Sequence, residues 1–166
     1  MISNRIDLAA AICAAGFIVV LAVAAYWDPS IRVLHVFEAL PYLLAATLCL
    51  RRNPFGYALG FAGGVFWLLM GGLASTFIRN GFERLEMLLR TGAVDRPDVL
   101  IAVPAAVATA GLALCSIAGY ARLPNKSWRD VMALGVAMVG VPAFYAGIFA
   151  VFKPQYLGLF SRLVSR

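Results

Sequence analysis

The chain is 166 residues long, with 63% hydrophobic and only 13% charged residues and a formal net charge of +6. A soluble domain carries about 45–50% apolar and about 25% charged residues, and so short a chain has too much surface for its volume to hide this excess in its own core. A soluble globular domain is therefore excluded. A nucleic-acid role is set aside as well, because the basic residues sit between apolar runs (Arg51–Arg52, Arg122–Lys126–Arg129, Lys153), where they meet anionic lipid headgroups.

What remains is an all-α fold: a polytopic transmembrane bundle forming one membrane domain over residues 1–166. About five spans are expected, with four as the alternative count, plus a short amphipathic interfacial helix. The first span covers about residues 6–27. Its apolar run of about 20 residues outlasts a signal-peptide core, so it reads as a retained helix with Tyr26 and Trp27 as interfacial aromatics.

The second span, about 29–50, opens on Asp28-Pro29. An aspartate caps the unpaired first-turn amides, and a proline at the next position has no amide to satisfy there. About 33 Å of helix follows, enough to cross the hydrocarbon. The third span, about 54–78, repeats this opening with Asn53-Pro54. Gly56, Gly60 and Gly64 recur one turn apart and leave a bare stripe for close helix packing. A phosphate-binding glycine loop would need a strand before the turn, and no strand pattern precedes it.

Between residues 79 and 98 the composition changes. Phe82, Leu85, Leu88 and Leu89 recur at helical spacing among charges, Glu86 and Arg90 can pair at i, i+4, and Gly92 is a helix stop. The pattern predicts an amphipathic helix over about 81–91 lying in the interface, with a partner-docking surface as the alternative. The fourth span, about 98–120, contains Pro104, and the fifth, about 128–152, contains Pro142; each proline is expected to kink its helix. Ser127 with Asp130 resembles a capping box, with Asp in place of Glu. The tail, 154–166, places Tyr156, Leu159, Phe160 and Leu163 opposite Ser161, Arg162 and Arg166, so it is expected to lie on the membrane surface. The compact basic loops at 51–53 and 122–129 favour a cytoplasmic N-terminus.

The candidate site lies on the second span. A carboxylate inside a membrane costs about 2.5 kcal/mol or more on insertion scales and normally faces protein or water, and Glu38 is such a group. At about 100° per residue, His35, Glu38 and Tyr42 fall within about 60° of one another. Cys49 lies on the same stripe, Arg32 at its mouth and Pro41 midway. Arg32, His35, Glu38 and Tyr42 thus form an expected polar column, and a His beside a Glu can share or relay a proton near neutral pH. The competing reading starts the helix nearer Val33, leaving Glu38 one or two turns below the headgroups to snorkel or to pair with Arg32 or His35.

Other chemistries are poorly supplied. One histidine rules out bis-His haem ligation within the chain and any His-rich metal centre. Ser75 and Ser116 have no second histidine as a base, and His35 with Glu38 alone is a thin metal site. Cys13, Cys49 and Cys115 lie in apolar runs without metal-ligand or redox spacing and read as small apolar residues. Tyr145, three residues past Pro142, reads as an interfacial or packing residue, with a place in a cavity wall as the alternative, and Trp67 reads as packing. No catalytic residue, metal or cofactor is assigned.

Three functions are consistent with this pattern. The first is a small helical subunit or accessory protein, associating with itself or a larger membrane complex through its glycine face and amphipathic segments. The second is a carrier or channel for a proton, ion or small solute that uses the polar column. The third is a membrane enzyme acting on a lipid or quinone. The Arg-over-Lys and Ala/Gly bias points to a bacterial inner membrane.

Overall fold

The computed structural model describes residues 2–164, and among them there is helix and turn but no strand. Five helical segments are long and apolar enough to cross a membrane: Arg5–Trp27, Pro29–Leu50, Pro54–Ala74, Pro97–Ala121 and Trp128–Phe152. The protein is a membrane-spanning helical bundle. Its helices are α1 (Ile2–Trp27), α2 (Arg32–Leu50), α3 (Pro54–Leu69), α4 (Phe77–Thr91), the single turn α5 (Pro97–Leu100), α6 (Ala102–Ala121), α7 (Trp128–Phe152) and α8 (Gly158–Val164).

Local chemistry sets most helix starts. Asp28 Oδ1 accepts the Ser30 amide at 2.9 Å, and Asn53 Oδ1 accepts the Phe55 amide at 2.9 Å. After Asp28 the chain makes a 3-10 turn, Pro29–Ile31, before α2 proper begins at Arg32. At the head of α7, Ser127 Oγ accepts the Arg129 amide and Asp130 Oδ2 accepts the Ser127 amide, closing the capping box. Gly92 ends α4 in the left-handed region at φ 71°, its amide donating to Leu88 O at 2.8 Å. A glycine adopts that conformation without steric cost.

Three boundaries differ from the sequence expectation. The third span closes at Ala74, not 78, through a wide π-type turn, Met70–Ala74. Ser75 is the cause: its hydroxyl donates to Gly71 O and accepts the Phe77 amide, so side-chain bonds replace the helix ladder and α4 starts at Phe77 rather than about 81. The fourth span breaks at Ile101, which puts Pro104 in the first turn of α6 instead of a helix interior. A proline there needs no partner for its absent amide, whereas one continuous helix would orphan the Leu100 carbonyl. The tail rests its apolar face on the bundle. Its turn Pro154–Leu157 and α8 fold back on the bundle, with the Phe160 ring 5.8 Å from Phe66 and 6.1 Å from Phe149. The Leu163 side chain and Arg166 lie outside the described residues.

α3 sits at the centre, against α2, α6 and α7, and α1 packs on α2 and α6. The glycine stripe makes this possible. A methyl at Gly64 would stand 2.5 Å from the Thr109 carbonyl oxygen of α6, and one at Gly56 would stand 2.7 Å from the Leu48 backbone of α2. One at Gly60 would meet Ser116 Oγ at 2.5 Å. The stripe is thus covered within the chain. α4 docks on α6 through Gly81, where a methyl would lie 2.7 Å from Ala102 Cβ, while Leu89 points away and Glu86 pairs with Arg90 at 2.5 Å.

Candidate functional site: a carboxylate-bearing cavity

α2 buries one stripe: Leu34, Glu38, Tyr42, Ala45 and Cys49. Glu38 is 8% exposed and stands about 9 Å along the helix axis from Arg32. One turn earlier, His35 Nδ1 lies 2.5 Å from Glu38 Oε2. A contact this short between an imidazole nitrogen and a carboxyl oxygen has the geometry of a charge-assisted hydrogen bond. Glu38 Oε1 has no hydrogen bond among the described residues.

Glu38 and His35 line a half-open cavity of about 550 Å³ between α1, α2, α3, α6 and α7, with α5 and the tail at its edge. The inner walls are aromatic and apolar, including Phe17 of α1, Phe66 and Trp67 of α3, and Tyr145 and Phe149 of α7. Tyr156 and Leu159 of the tail cover it. Its mouth carries Asp28, Asp98 and Ser75, and no Lys or Arg is among the described residues that line it.

The expected column is therefore divided. His35 and Glu38 come together in the cavity. Tyr42 lies beneath it and is committed elsewhere, donating to Gly63 O at 3.0 Å across the α2–α3 contact, with Tyr145 Oη 3.5 Å from its own hydroxyl. Arg32 is exposed, does not line the cavity and makes no ion pair among the described residues. It sits where α2 begins, pointing outward, so the wheel placed its angle near the stripe but not its environment.

The mouth is electrostatically graded. Hydrogen bonds to Ser30, side chain first and then amide, hold the Asp28 carboxyl below its ordinary range, with Lys153 and His35 adding smaller effects in the same direction. Lys153 Nζ donates to Ser30 Oγ at 3.0 Å. Asp98 is engaged by Arg96 in a two-pronged pair, 3.0 Å from Nε and 2.8 Å from Nη2. Burial pushes the Tyr156 hydroxyl upward, and the negative charges of Asp28 and Glu38 push it further.

Tyr145, for which the sequence left a cavity-lining place open beside packing, lines the cavity. One polar feature went unread in the sequence. Asp7, one turn inside the first apolar run, is 3% exposed at the opposite end of the bundle. It accepts from Tyr57 Oη at 2.6 Å and from Arg52 Nε at 3.0 Å. Arg52 reaches it from a left-handed backbone, φ 54°. The available signal was an acidic residue within an apolar run. Cys13, Cys49 and Cys115 are free thiols, and no cluster of three or more His, Cys, Asp or Glu among the described residues is arranged to hold a metal ion.

Comparison with known proteins found no family model, curated protein or solved structure that the chain matches.

Proposed function

We propose that the protein is a small membrane carrier that takes a solute into this cavity and exchanges a proton at the His35–Glu38 pair as it does so. One observation carries the reading. A nine-tenths buried carboxylate lines a cavity of small-molecule size, bonded on one oxygen to a histidine and bare on the other. A purely packed helix gains nothing from a carboxylate there, because the group costs desolvation energy that one hydrogen bond does not repay.

The accessory-subunit reading drew on the glycine stripe, and that stripe is covered within the chain by α2 and α6. The enzyme reading lacks a nucleophile beside the pair. Five spans are few for a monomeric carrier, so a homo-oligomer is proposed. Its location is a bacterial inner membrane, with the basic turns at 51–52 and 122–129 on anionic headgroups.

A hydrophobic carbodiimide tests the reading, since it modifies a protonated carboxyl group reached through an apolar cavity. The expected result is covalent label at Glu38, located by mass spectrometry and forming faster at lower pH. Absence of label at Glu38, or a rate independent of pH, overturns the reading.

A further inference from the structure

We infer that the solute is an organic monocation with an apolar body, an alkyl or aryl ammonium. This deepens the reading above and rests on it. Three features of the cavity select that class.

The first is the sign of the charge. Described residues lining the cavity contribute carboxylates from Glu38, Asp28 and Asp98 and no lysine or arginine. Asp98 is matched by Arg96, and Lys153 stands at Ser30 beside Asp28, so the mouth is largely compensated. Glu38 has only His35. An anionic solute would meet no cationic side chain but His35, and its lost hydration would go largely unpaid. A cation can take Glu38 Oε1, the oxygen that has no partner.

The second is the aromatic wall. Trp67 lines the cavity with Glu38, backed by Phe17, Phe66 and Tyr145, whose rings are nearly buried against one another and Tyr42. Aromatic faces attract an alkylated ammonium through their quadrupole, and do so more strongly where water is excluded. A bare metal ion gains little from them, since it needs several oxygen ligands. Within the cavity Glu38 is the one carboxylate away from the mouth.

The third is the proton. A His–Glu pair that shares one proton is neutral overall, and without that proton it carries one negative charge. A cation entering beside Glu38 displaces that proton to solvent, so one positive charge replaces another. The other titratable groups facing Glu38 are Tyr42 on its own helix, Tyr145 on α7 and Tyr156 in the tail turn, with Asp28 and Asp98 towards the mouth. α1 and α3 present no titratable side chain to the cavity. The exchange therefore centres on the pair.

Benzyltrimethylammonium and its uncharged isostere neopentylbenzene differ in charge at nearly equal shape. Trp27 and Trp67 line the cavity and report binding by fluorescence, and Trp128→Phe removes the exposed third tryptophan. In purified protein the cation is expected to bind at least about tenfold tighter than the isostere. Its affinity should rise with pH, and calorimetry in buffers of different ionisation enthalpy should read about one proton released per cation bound. Glu38→Gln should abolish the preference; the wild-type comparison stands even if that variant does not fold. Equal binding of cation and isostere, or binding with no proton released, overturns the inference. Carbodiimide labelling of Glu38 together with no cation binding removes the ligand class but leaves the proton-linked cavity; failure of both removes both.

Discussion

Replacing Asp7 by asparagine tests the tie at the closed end of the bundle. Asp7 is 3% exposed and receives Tyr57 Oη at 2.6 Å and Arg52 Nε at 3.0 Å. A hydrogen bond to a charged group is worth about 1.5–3 kcal/mol, roughly twice a neutral one. Asparagine keeps the shape and can still accept from Tyr57, but it loses the charge and turns an amide donor towards Arg52 Nε. The expected cost is about 2–4 kcal/mol, the loss of one charge-assisted bond and the weakening of the other. Arg52→Ala should cost less, about 1–2 kcal/mol, because the Arg52 side chain is 52% exposed and water replaces part of what it loses. Arg52→Gly should be milder still, since a left-handed backbone costs a non-glycine residue about 1–2 kcal/mol. Denaturant unfolding in mixed micelles measures all three, and the Asp7→Asn/Arg52→Ala cycle isolates the pair. A cost below about 0.5 kcal/mol for Asp7→Asn, or no coupling in the cycle, would refute this account of the tie.

Other substitutions probe the packing around the cavity. Gly64→Ala sets a methyl 2.5 Å from the Thr109 carbonyl oxygen, so α3 and α6 must part, at about 1–3 kcal/mol of stability. Gly135→Ala, with nothing within 4 Å, should instead gain up to about 1 kcal/mol from helix propensity in the same unfolding assay. Ser116 Oγ is buried without a partner, so Ser116→Ala should be neutral or stabilising by about 1 kcal/mol, and should soften the cost of Gly60→Ala, whose methyl would otherwise meet that oxygen. Tyr42→Phe removes the bond to Gly63 O and should cost about 0.5–1.5 kcal/mol, while changing benzyltrimethylammonium affinity less than about twofold, because Tyr42 does not line the cavity.

What the sequence disclosed here follows from the range of each interaction. Caps at Asp28, Asn53 and Ser127 and the stop at Gly92 depend on residues two to four positions away, so pattern alone located them. His35 and Glu38 are one turn apart, and their contact was readable for the same reason. Asp7 meets Arg52 and Tyr57 across 45 and 50 positions, and Tyr145 meets Tyr42 across 103, which no local period encodes. A helical wheel supplies an angle but no neighbour. It grouped Arg32 with the stripe although a 3-10 turn precedes α2 and leaves that side chain outside. The tail's apolar face was visible in the sequence, whereas the rings it stacks against, on α3 and α7, were not.

The two halves of α3 explain why the cavity lies where it does, and what crossing would require. Gly56, Gly60 and Gly64 occupy the half near Asp7 and draw α2 and α6 into backbone contact. Phe66, Trp67 and Met70 occupy the other half, and the π-type turn after Leu69 widens the helix there, so the neighbours stand apart around the space that holds Glu38. The mouth is at the wide end, and the narrow end is shut by glycine packing and the Asp7 tie. Under the proposed carrier function, a solute at Glu38 would leave through the mouth or cross at the closed end, where the glycine contacts and the Asp7 tie stand in its way. Weakening the tie should therefore change passage without changing binding. Asp7→Asn is expected to speed the escape of benzyltrimethylammonium from loaded proteoliposomes severalfold while leaving its equilibrium Kd within about twofold, because Asp7 lies outside the cavity. Escape at the wild-type rate from a folded Asp7→Asn protein would place the barrier elsewhere, and a changed Kd would mean that the two ends are coupled through more than this contact.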